Sequence, residues 1–483
     1  MTFSTNFLNN FRLIMLLLML SLAACAGIEP DQPPLTITSS EVVLQGSPVA
    51  RRGALHWRVT TSGGAGSVTS EVLVKKNGAE RLISSGGSAT GSWTPKEPGL
   101  YRVKVIAIDA GGTVADSGWS DEHRFAPQLD RDSLYAVLPL ENLSDTNIPQ
   151  KDIQATLRAR LSAEGFNLLE QASLDKFMAK YRMRHVGGLN RNLSRKMQDE
   201  LGVAGVFVTS LESWQEDLPP QVSLIIRVIS TGEVPEVFWI DSIGLTGDDA
   251  PGLLGLGRIK SPRLLLQNAL EKLLASYHAY LTGHCPEYLH IAATQQLLLT
   301  NVGDGSAEVI ETIKNKHQPQ FFYRASTFNP AGQYTIAVIP FLNINARKHA
   351  EKIVALHLVE QLNRYANIRV FEPGLVRETL LRYRMIMQQG PSLAAADILA
   401  SKDILGADLI LSGRVFDYQG EFGESKVDFS VQIFDGIKRE VIWASRSYAT
   451  GNQGVYFFDW GWIPSAHGLS RRMTQAVVRK LEE

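Results

Sequence analysis

A single internal repeat constrains this chain more than any other feature. Ala136, Val137, Leu138, Pro139, Leu140 and Asn142 return as Ala337, Val338, Ile339, Pro340, Phe341 and Asn343, 201 residues later. The helix that follows keeps the same offset. Ile153, Leu157 and Leu161 fall on one face at i, i+4, i+8 and correspond to Val354, Leu358 and Leu362. Leu168, Leu169, Glu170 then matches Val370, Phe371, Glu372, and Tyr181, Arg182, Met183 matches Tyr383, Arg384, Met385. Further on, Leu201, Gly202 and Val206, Phe207, Val208 pair with Leu405, Gly406 and Leu409, Ile410, Leu411. Val237, Phe238, Trp239 pairs with Val441, Ile442, Trp443. The offset grows only across turns, where a duplicated fold tolerates insertions.

Each copy reads strand, amphipathic helix, strand, one or two helices, three strands and a closing helix. The first strand is a continuous apolar run, so both its faces are expected to be covered. The segments Val222 to Ser230 and Val427 to Phe434 alternate only partly, as strands do when one face packs on helices and the other is less buried. Closing helices are predicted over Leu264 to Tyr280 and Leu469 to Leu481.

This order, opened by an Ala-Val-(Ile/Leu)-Pro-(Phe/Leu) strand and carrying a Leu-Gly turn before Leu409, resembles the CsgG and TolB amino-terminal family. The resemblance implies two mixed-sheet α/β domains and a place beside the curli secretion lipoprotein, the first domain of the Tol system's periplasmic protein and lipoproteins that activate peptidoglycan synthases. Curli channels insert long amphipathic hairpins into the membrane, which needs extra strands of about 9 to 11 alternating residues. Neither copy holds such a stretch. The loops at His185 to Asn192 and Met387 to Leu393 are short and polar, so pore formation is not expected. Protein binding is the activity that the resemblance leaves.

Ahead of the repeat, residues 35 to 128 read as all β. Leu55, Trp57 and Val59 alternate with polar neighbours, as do Tyr101, Val103 and Val105 with Arg102 and Lys104. Asp109, Ala110, Gly111 and Gly112 mark a hairpin. With Glu97, Pro98, Gly99 leading into the second alternation, the stretch resembles the immunoglobulin-like modules of bacterial surface proteins. Such a module implies a sandwich used as spacer or docking piece.

Arg12 precedes an apolar run from Leu13 to Leu22 that ends in Ala23, Ala24, Cys25. The run is short for a bilayer span and suits a signal-peptide h-region. Small residues before a cysteine resemble the bacterial lipobox, which implies cleavage between Ala24 and Cys25 and lipid attachment at Cys25. Each buried methylene contributes about 0.8 kcal/mol, so two or three acyl chains anchor stably where one does not. Ala26 rather than Asp follows the cysteine, which in that class favours the outer membrane. The expected organisation is a signal peptide over 1–24, a tether over 25–34, the β-sandwich over 35–128, α/β domains over 133–282 and 333–483, and a connector over 283–332. Gln295 to Leu299 in that connector hints at a short helix.

Chemistry is then sought in the residues themselves. Lys plus Arg number 48 against 49 Asp plus Glu, so no field collects nucleic acid. Two cysteines in 483 residues exclude a disulfide framework and cysteine-rich zinc modules. Gly252 to Gly257 has Arg258 and Ile259 where a phosphate loop needs Lys and Ser or Thr. No Gly-x-Ser-x-Gly elbow occurs. His278, His284, Cys285 and His290 match no established metal spacing, and an ordinary loop accounts for them. Glu212, Glu216 and Asp217 sit near Pro219 and Pro220 and read as a solvated loop. The Tyr-Arg-Met pairs read as helix ends packed on a sheet. No catalytic residue, metal or cofactor is expected beyond the lipid on Cys25.

One aromatic run stands apart: Tyr456, Phe457, Phe458, Trp460 and Trp462, before the last helix of the second copy only. Aromatic side chains anchor interfaces because they bury much area at low entropic cost. Folding back as core is the competing reading. The expected function is therefore a non-enzymatic, lipid-anchored periplasmic protein that docks partners in envelope assembly or export. A ring-forming export component and an activator of a peptidoglycan synthase are the alternatives, and oligomerisation is left open.

Overall fold

The computed structural model describes residues 33–47, 52–76, 78–95, 99–125, 129–249, 257–282, 317–330, 332–365, 368–385, 390–420, 425–453 and 461–482. The chain divides into two compact units, one made of Met1–Gln45 and Gly53–Phe125 and the other of Ala126–Glu483 with Gly46–Arg52.

The first unit is all β. Strands β1 (Thr36–Ser47), β2 (Arg52–Ser62) and β5 (Thr90–Trp93) form one sheet; β3 (Thr69–Lys76), β4 (Ala79–Gly87), β6 (Gly99–Ile108), β7 (Val114–Asp116) and β8 (His123–Phe125) form another. The alternating residues of β2 and β6 meet between the sheets. Leu55, Trp57, Val59, Tyr101, Val103 and Val105 are all buried in one cluster with Val72, Val74 and Phe125. Gly91 lies against the Trp57 ring, 2.4 Å from where a Cβ would stand, so no larger residue fits there.

The second unit holds both copies of the repeat. In the first half β9 (Leu134–Val137), β10 (Glu141–Asn142), β11 (Asn167–Leu168), β12 (Gly205–Gln215), β13 (Gln221–Ser230) and β14 (Glu236–Thr246) run in the order β11-β9-β12-β13-β14, with β10 on β12. Its helices are α1 (Gln150–Ala163), α2 (Gln171–Lys180), α3 (Arg191–Leu201) and α4 (Pro262–Leu281). The second half repeats the plan. β16 (Tyr334–Val338), β17 (Leu342–Asn343), β18 (Ile368–Val370), β19 (Leu409–Gln419), β20 (Lys426–Asp435) and β21 (Glu440–Thr450) take the equivalent places. Helices α5 (Ala350–Leu362), α6 (Pro373–Arg382), α7 (Leu393–Ala400) and α8 (Ala466–Glu482) follow the same sequence. Strand β15 (Phe321–Arg324), from the stretch read as connector, adds an edge strand on β21.

The duplication holds at the level of register. Ala136 pairs with Val206 in parallel and Val206 with Ile229 antiparallel; Ala337 pairs with Ile410 and Ile410 with Phe434 in the same two senses. Bulges recur as well. Glu212 is the extra residue of β12 and Phe416 that of β19; Phe238 is extra in β14 and Ile442 in β21. The Tyr-Arg-Met pairs are helix caps. Arg182 (φ 49°) and Arg384 (φ 59°) are left-handed, with Met183 N donating to Met178 O at 2.9 Å and Met385 N to Leu380 O at 2.7 Å, the Schellman closure. Among the described residues, no helix is long and apolar enough to cross a membrane.

The halves differ in what covers their sheets. Helix α1 buries Ile153, Leu157 and Leu161, the stripe expected of an amphipathic helix. Helix α5 buries Ala350, Ile353, Val354 and every residue from Leu356 to Leu362. The reason is its position between two sheets. Leu143, Ile225, Val237 and Ile240 of the first half belong to the same core cluster as Val354, Leu358, Leu469 and Met473 of the second. The two repeats thus fold into one body rather than two independent domains.

Candidate functional site

Where α5 and α8 lie on the first half's sheet, the core turns polar. Glu212 begins the arrangement. β12 continues past it to Gln215, paired with Gln221, so its neighbourhood is strand and not the solvated loop expected from sequence. The bulge places the carboxylate against the second half, and only 2% of the residue is exposed. Glu216 is exposed and accepts from Trp214 Nε1 at 3.0 Å, as a rim residue does.

Glu212 Oε2 lies 2.5 Å from His467 Nδ1 and 3.4 Å from His357 Nε2. The Tyr418 hydroxyl donates to Oε1, and Arg347 Nη2 donates to the Glu212 backbone oxygen at 2.9 Å. Gly244 gives the His467 ring its place, because a Cβ there would stand 2.7 Å from the ring's Cδ2. The two imidazoles meet edge to face, with centroids 4.9 Å apart.

A second layer adjoins the first. His357 Nδ1 is 3.5 Å from Glu360 Oε2, which also accepts from Ser242 Oγ at 2.5 Å. Glu360 Oε1 accepts from Arg364 Nη2 at 2.8 Å and from Arg471 Nε at 2.9 Å. Arg471 Nη2 donates to Asp241 Oδ1 at 2.9 Å, and Ser276 Oγ donates to Asp241 Oδ2 at 2.6 Å. Strands β12 and β14 and helix α4 of the first half are thereby tied to α5, α8 and β19 of the second.

Burial alone raises carboxyl pKa values and lowers imidazole ones. For Glu212 it is outweighed by His467 and His357, which hold the carboxyl well below its usual range. Burial likewise opposes ionisation of Glu360, yet Arg471, His357 and Arg364 keep it ionised. For His357, burial is overcome by the carboxylates of Glu212 and Glu360, and the pKa is pushed up to about 9. At His467 burial wins and the value falls.

A third cluster lies nearby. Lys352 of α5 pairs with Glu141, which also accepts from Ser210 Oγ at 2.8 Å. Buried Arg227 donates to Gly187 O at 2.8 Å. Gly188 and Gly374 bring the two backbones together, with a Cβ on Gly188 falling 2.9 Å from Gly374 Cα. Glu372, wholly buried beside them, accepts from Leu375 N at 2.9 Å as the cap of α6. Burial pushes its pKa up to about 7, against the pull of Arg227.

The sequence-derived candidates fall elsewhere. Ala24, Cys25, Tyr456, Phe457, Phe458 and Trp460 lie outside the described residues, as do His284, Cys285 and His290. Trp462 is half-buried just before α8. His278 sits on α4 with Nδ1 2.8 Å from Arg131 Nη2. The junction residues His357, Glu360, His467 and Arg471 are absent from the sequence-derived set. Their signal is a His, a Glu and a Gln inside the stretch Leu356 to Leu362, which is otherwise apolar on every side of a helix.

No family model matches the chain, and no curated protein matches it. Solved structures that it is similar to include the PelC dodecamer from Paraburkholderia phytofirmans, at 14% identity and TM-score 0.24, over 34% of this chain and 95% of that chain. Lipoprotein GNA1162 from Neisseria meningitidis is similar at 17% identity and TM-score 0.22, over 30% of this chain and 96% of that one. The LpoB C-terminal domain from Salmonella enterica is similar at 16% identity and TM-score 0.21, over 25% of this chain and 87% of that one.

Proposed function

We propose that this chain is a non-catalytic, lipid-anchored envelope protein that holds a helical element of a separate protein on the open face of its second sheet. One observation carries the reading. In the first half, Ser210, Ile225 and Ser242 form a row across β12, β13 and β14, and that row is buried beneath α5 and α8. The equivalent row of the second half is Arg414, Ser430 and Arg446, continued by Phe321 of β15, and no described helix covers it.

The chemistry of that face matches an interface anchor set. Phe321 is 75% exposed, Tyr323 55%, Ile344 56% and Tyr448 38%. Arg446 stands 4.3 Å over the Phe416 ring and is held by Asp428, with Arg446 Nη2 2.9 Å from Asp428 Oδ2. Arg414 is exposed and has no ion-pair partner among the described residues. Aromatic and arginine residues together dominate binding energy at protein interfaces. A helical partner bearing carboxylates suits the face, because a pair of helices fills its counterpart in the first half. Lipid attachment at Cys25, which the resemblance of that segment to a lipobox implies, would bring the encounter to a membrane surface.

A photocrosslinking amino acid in place of Tyr448, in the anchored chain in cells, tests this. A discrete heterologous adduct is expected from Tyr448 and not from exposed Leu264 on α4, and Arg414→Glu should reduce its yield at least tenfold. An adduct of twice the chain mass would instead assign the face to a second copy, as ring assembly requires. Equal yields from both positions would remove the docking reading.

A further inference from the structure

The Glu212, His357 and His467 cluster does more than bridge two halves. We infer that these three side chains form a binding site for a divalent cation of the zinc class, fastening β12 of the first half to α5 and α8 of the second.

The donor set is two imidazoles and one carboxylate, a combination suited to zinc among biological divalent ions. All three residues are buried, with exposures of 2%, 0% and 3% in chain order. Their donor atoms gather within 4.8 Å of one another. His357 Nε2 makes no hydrogen bond although it faces Glu212, and a cation between the two would satisfy it. Buried polar atoms without partners are rare in native proteins, and each asks for an explanation. The distances of His357 to its two carboxylates, 3.4 and 3.5 Å, are long for charge-assisted hydrogen bonds, which run at about 2.7–2.9 Å. A separation of 3.4 Å is instead the edge expected of a tetrahedron with metal–ligand bonds of about 2.1 Å.

The surroundings support the donors as they do in zinc sites. Glu360 Oε2 stands 3.5 Å from His357 Nδ1, so Nε2 is the nitrogen turned towards Glu212 and available to the cation. Tyr418 donates to the Glu212 oxygen that does not face the imidazoles. Three carboxylates, Glu212, Glu360 and Asp241, converge here, with Arg364 and Arg471 paired to the last two. In the metal-free protein the 2.5 Å contact of His467 Nδ1 with Glu212 is a hydrogen bond that the cation replaces. Imidazole ligands bind metal without their proton, so loading displaces it.

Metal analysis of the full-length lipidated chain, purified in detergent without chelator from cells grown with zinc or with cobalt, reads the site. About one equivalent of metal per chain is expected, and the cobalt form should show the intense visible bands of a low-coordinate Co(II) ion. Both His467→Gln and Glu212→Gln should lose the equivalent and the bands. Tyr418→Phe should keep them with affinity lowered roughly tenfold to a hundredfold. Replacing His284 and His290 together by Ala should change nothing. If His467→Gln does not fold, Glu212→Gln decides, because its amide keeps the Tyr418 contact while the charge is gone. Metal absent from both preparations, or retained in full by Glu212→Gln and by Tyr418→Phe alike, would overturn the assignment in favour of a proton-held ion pair.

Discussion

Strands β13 and β20 occupy the same place in the same topology, yet their surroundings are opposite. All ten residues of β13 are buried, whereas β20 mixes buried and half-buried positions. The side chains follow that difference. Ile225 becomes Ser430 and Ile240 becomes Ala444, while Phe416 stands where Glu212 is ionised beneath the helices. Duplication copied the backbone, down to two bulges and a helix cap, and sequence divergence then assigned one face to an internal joint and its twin to solvent. A terminal repeat with a polar outer face is how a stacked array ends. The second half's open face is the one on which docking is proposed above.

The sharpest way to break this comparison is to exchange the two faces at one position. Ile225→Ser removes buried apolar volume and leaves a hydroxyl in the joint, so a loss of about 3–5 kcal/mol is expected in urea unfolding. Ser430→Ile, on the exposed row, should change stability by less than about 0.5 kcal/mol. Comparable losses from both would mean that the second face is covered as completely as the first.

A smaller effect tests the joint through pH. Glu372 is raised to about 7 in the folded chain from an ordinary value of 4.5, so between those values the folded state binds more protons than the unfolded state. Stability conferred relative to the charged form is therefore full below pH 4.5 and declines as pH rises to about 7. The decline is on the order of 3 kcal/mol at most, with the nearby Arg227 guanidinium already included. Glu372→Gln should flatten the urea midpoint across that window, since the amide oxygen can still cap α6. An unchanged slope in the variant would mean that Glu372 is ionised throughout. The counterpart position in the first half, Glu170, makes no side-chain cap bond to α2.

Much of this architecture is legible in the chain. The stripe Ile153, Leu157, Leu161 announces α1, and the alternations around Trp57 and Val103 announce the sandwich, because each buries one face at a fixed period. The repeat itself orders the strands. What periodicity does not give is the joint. Glu212 follows an apolar strand and precedes Pro219 and Pro220, so locally it reads as a strand leaving the core. Its burial depends on His357 and His467, which lie 145 and 255 residues further on, and on a bulge that turns it away from the expected pleat. Val354, Leu358 and Leu362 predict one buried face of α5; the second face is buried only because the other half supplies a wall. Charged residues within a helix otherwise apolar on all sides are the trace such a wall leaves in sequence.

The finest expected effect concerns the caps that the two halves share. Arg182 and Arg384 hold the left-handed conformation for which glycine is the usual residue. Neither arginine carries a cap hydrogen bond through its side chain; the closure is made by the backbone of Arg182 and Met183 and by that of Arg384 and Met385. Left-handed backbone costs a residue with a Cβ about 1–2 kcal/mol, and glycine returns part of that gain as entropy lost on folding. Arg182→Gly and Arg384→Gly should each stabilise by about 0.5–1 kcal/mol, and together by the sum, because distant sites add. The measurement is the shift of the urea midpoint at constant slope. Equal gains would show that the two copies still share their local energetics where neither the joint nor the docking face has reshaped them. Tyr181 offers the one reason for inequality: its hydroxyl bonds Glu200 and its ring sits 4.0 Å under Lys196, while Tyr383 is 42% exposed. A larger gain at Arg384 than at Arg182 would therefore indicate that the first cap is already braced by its neighbours.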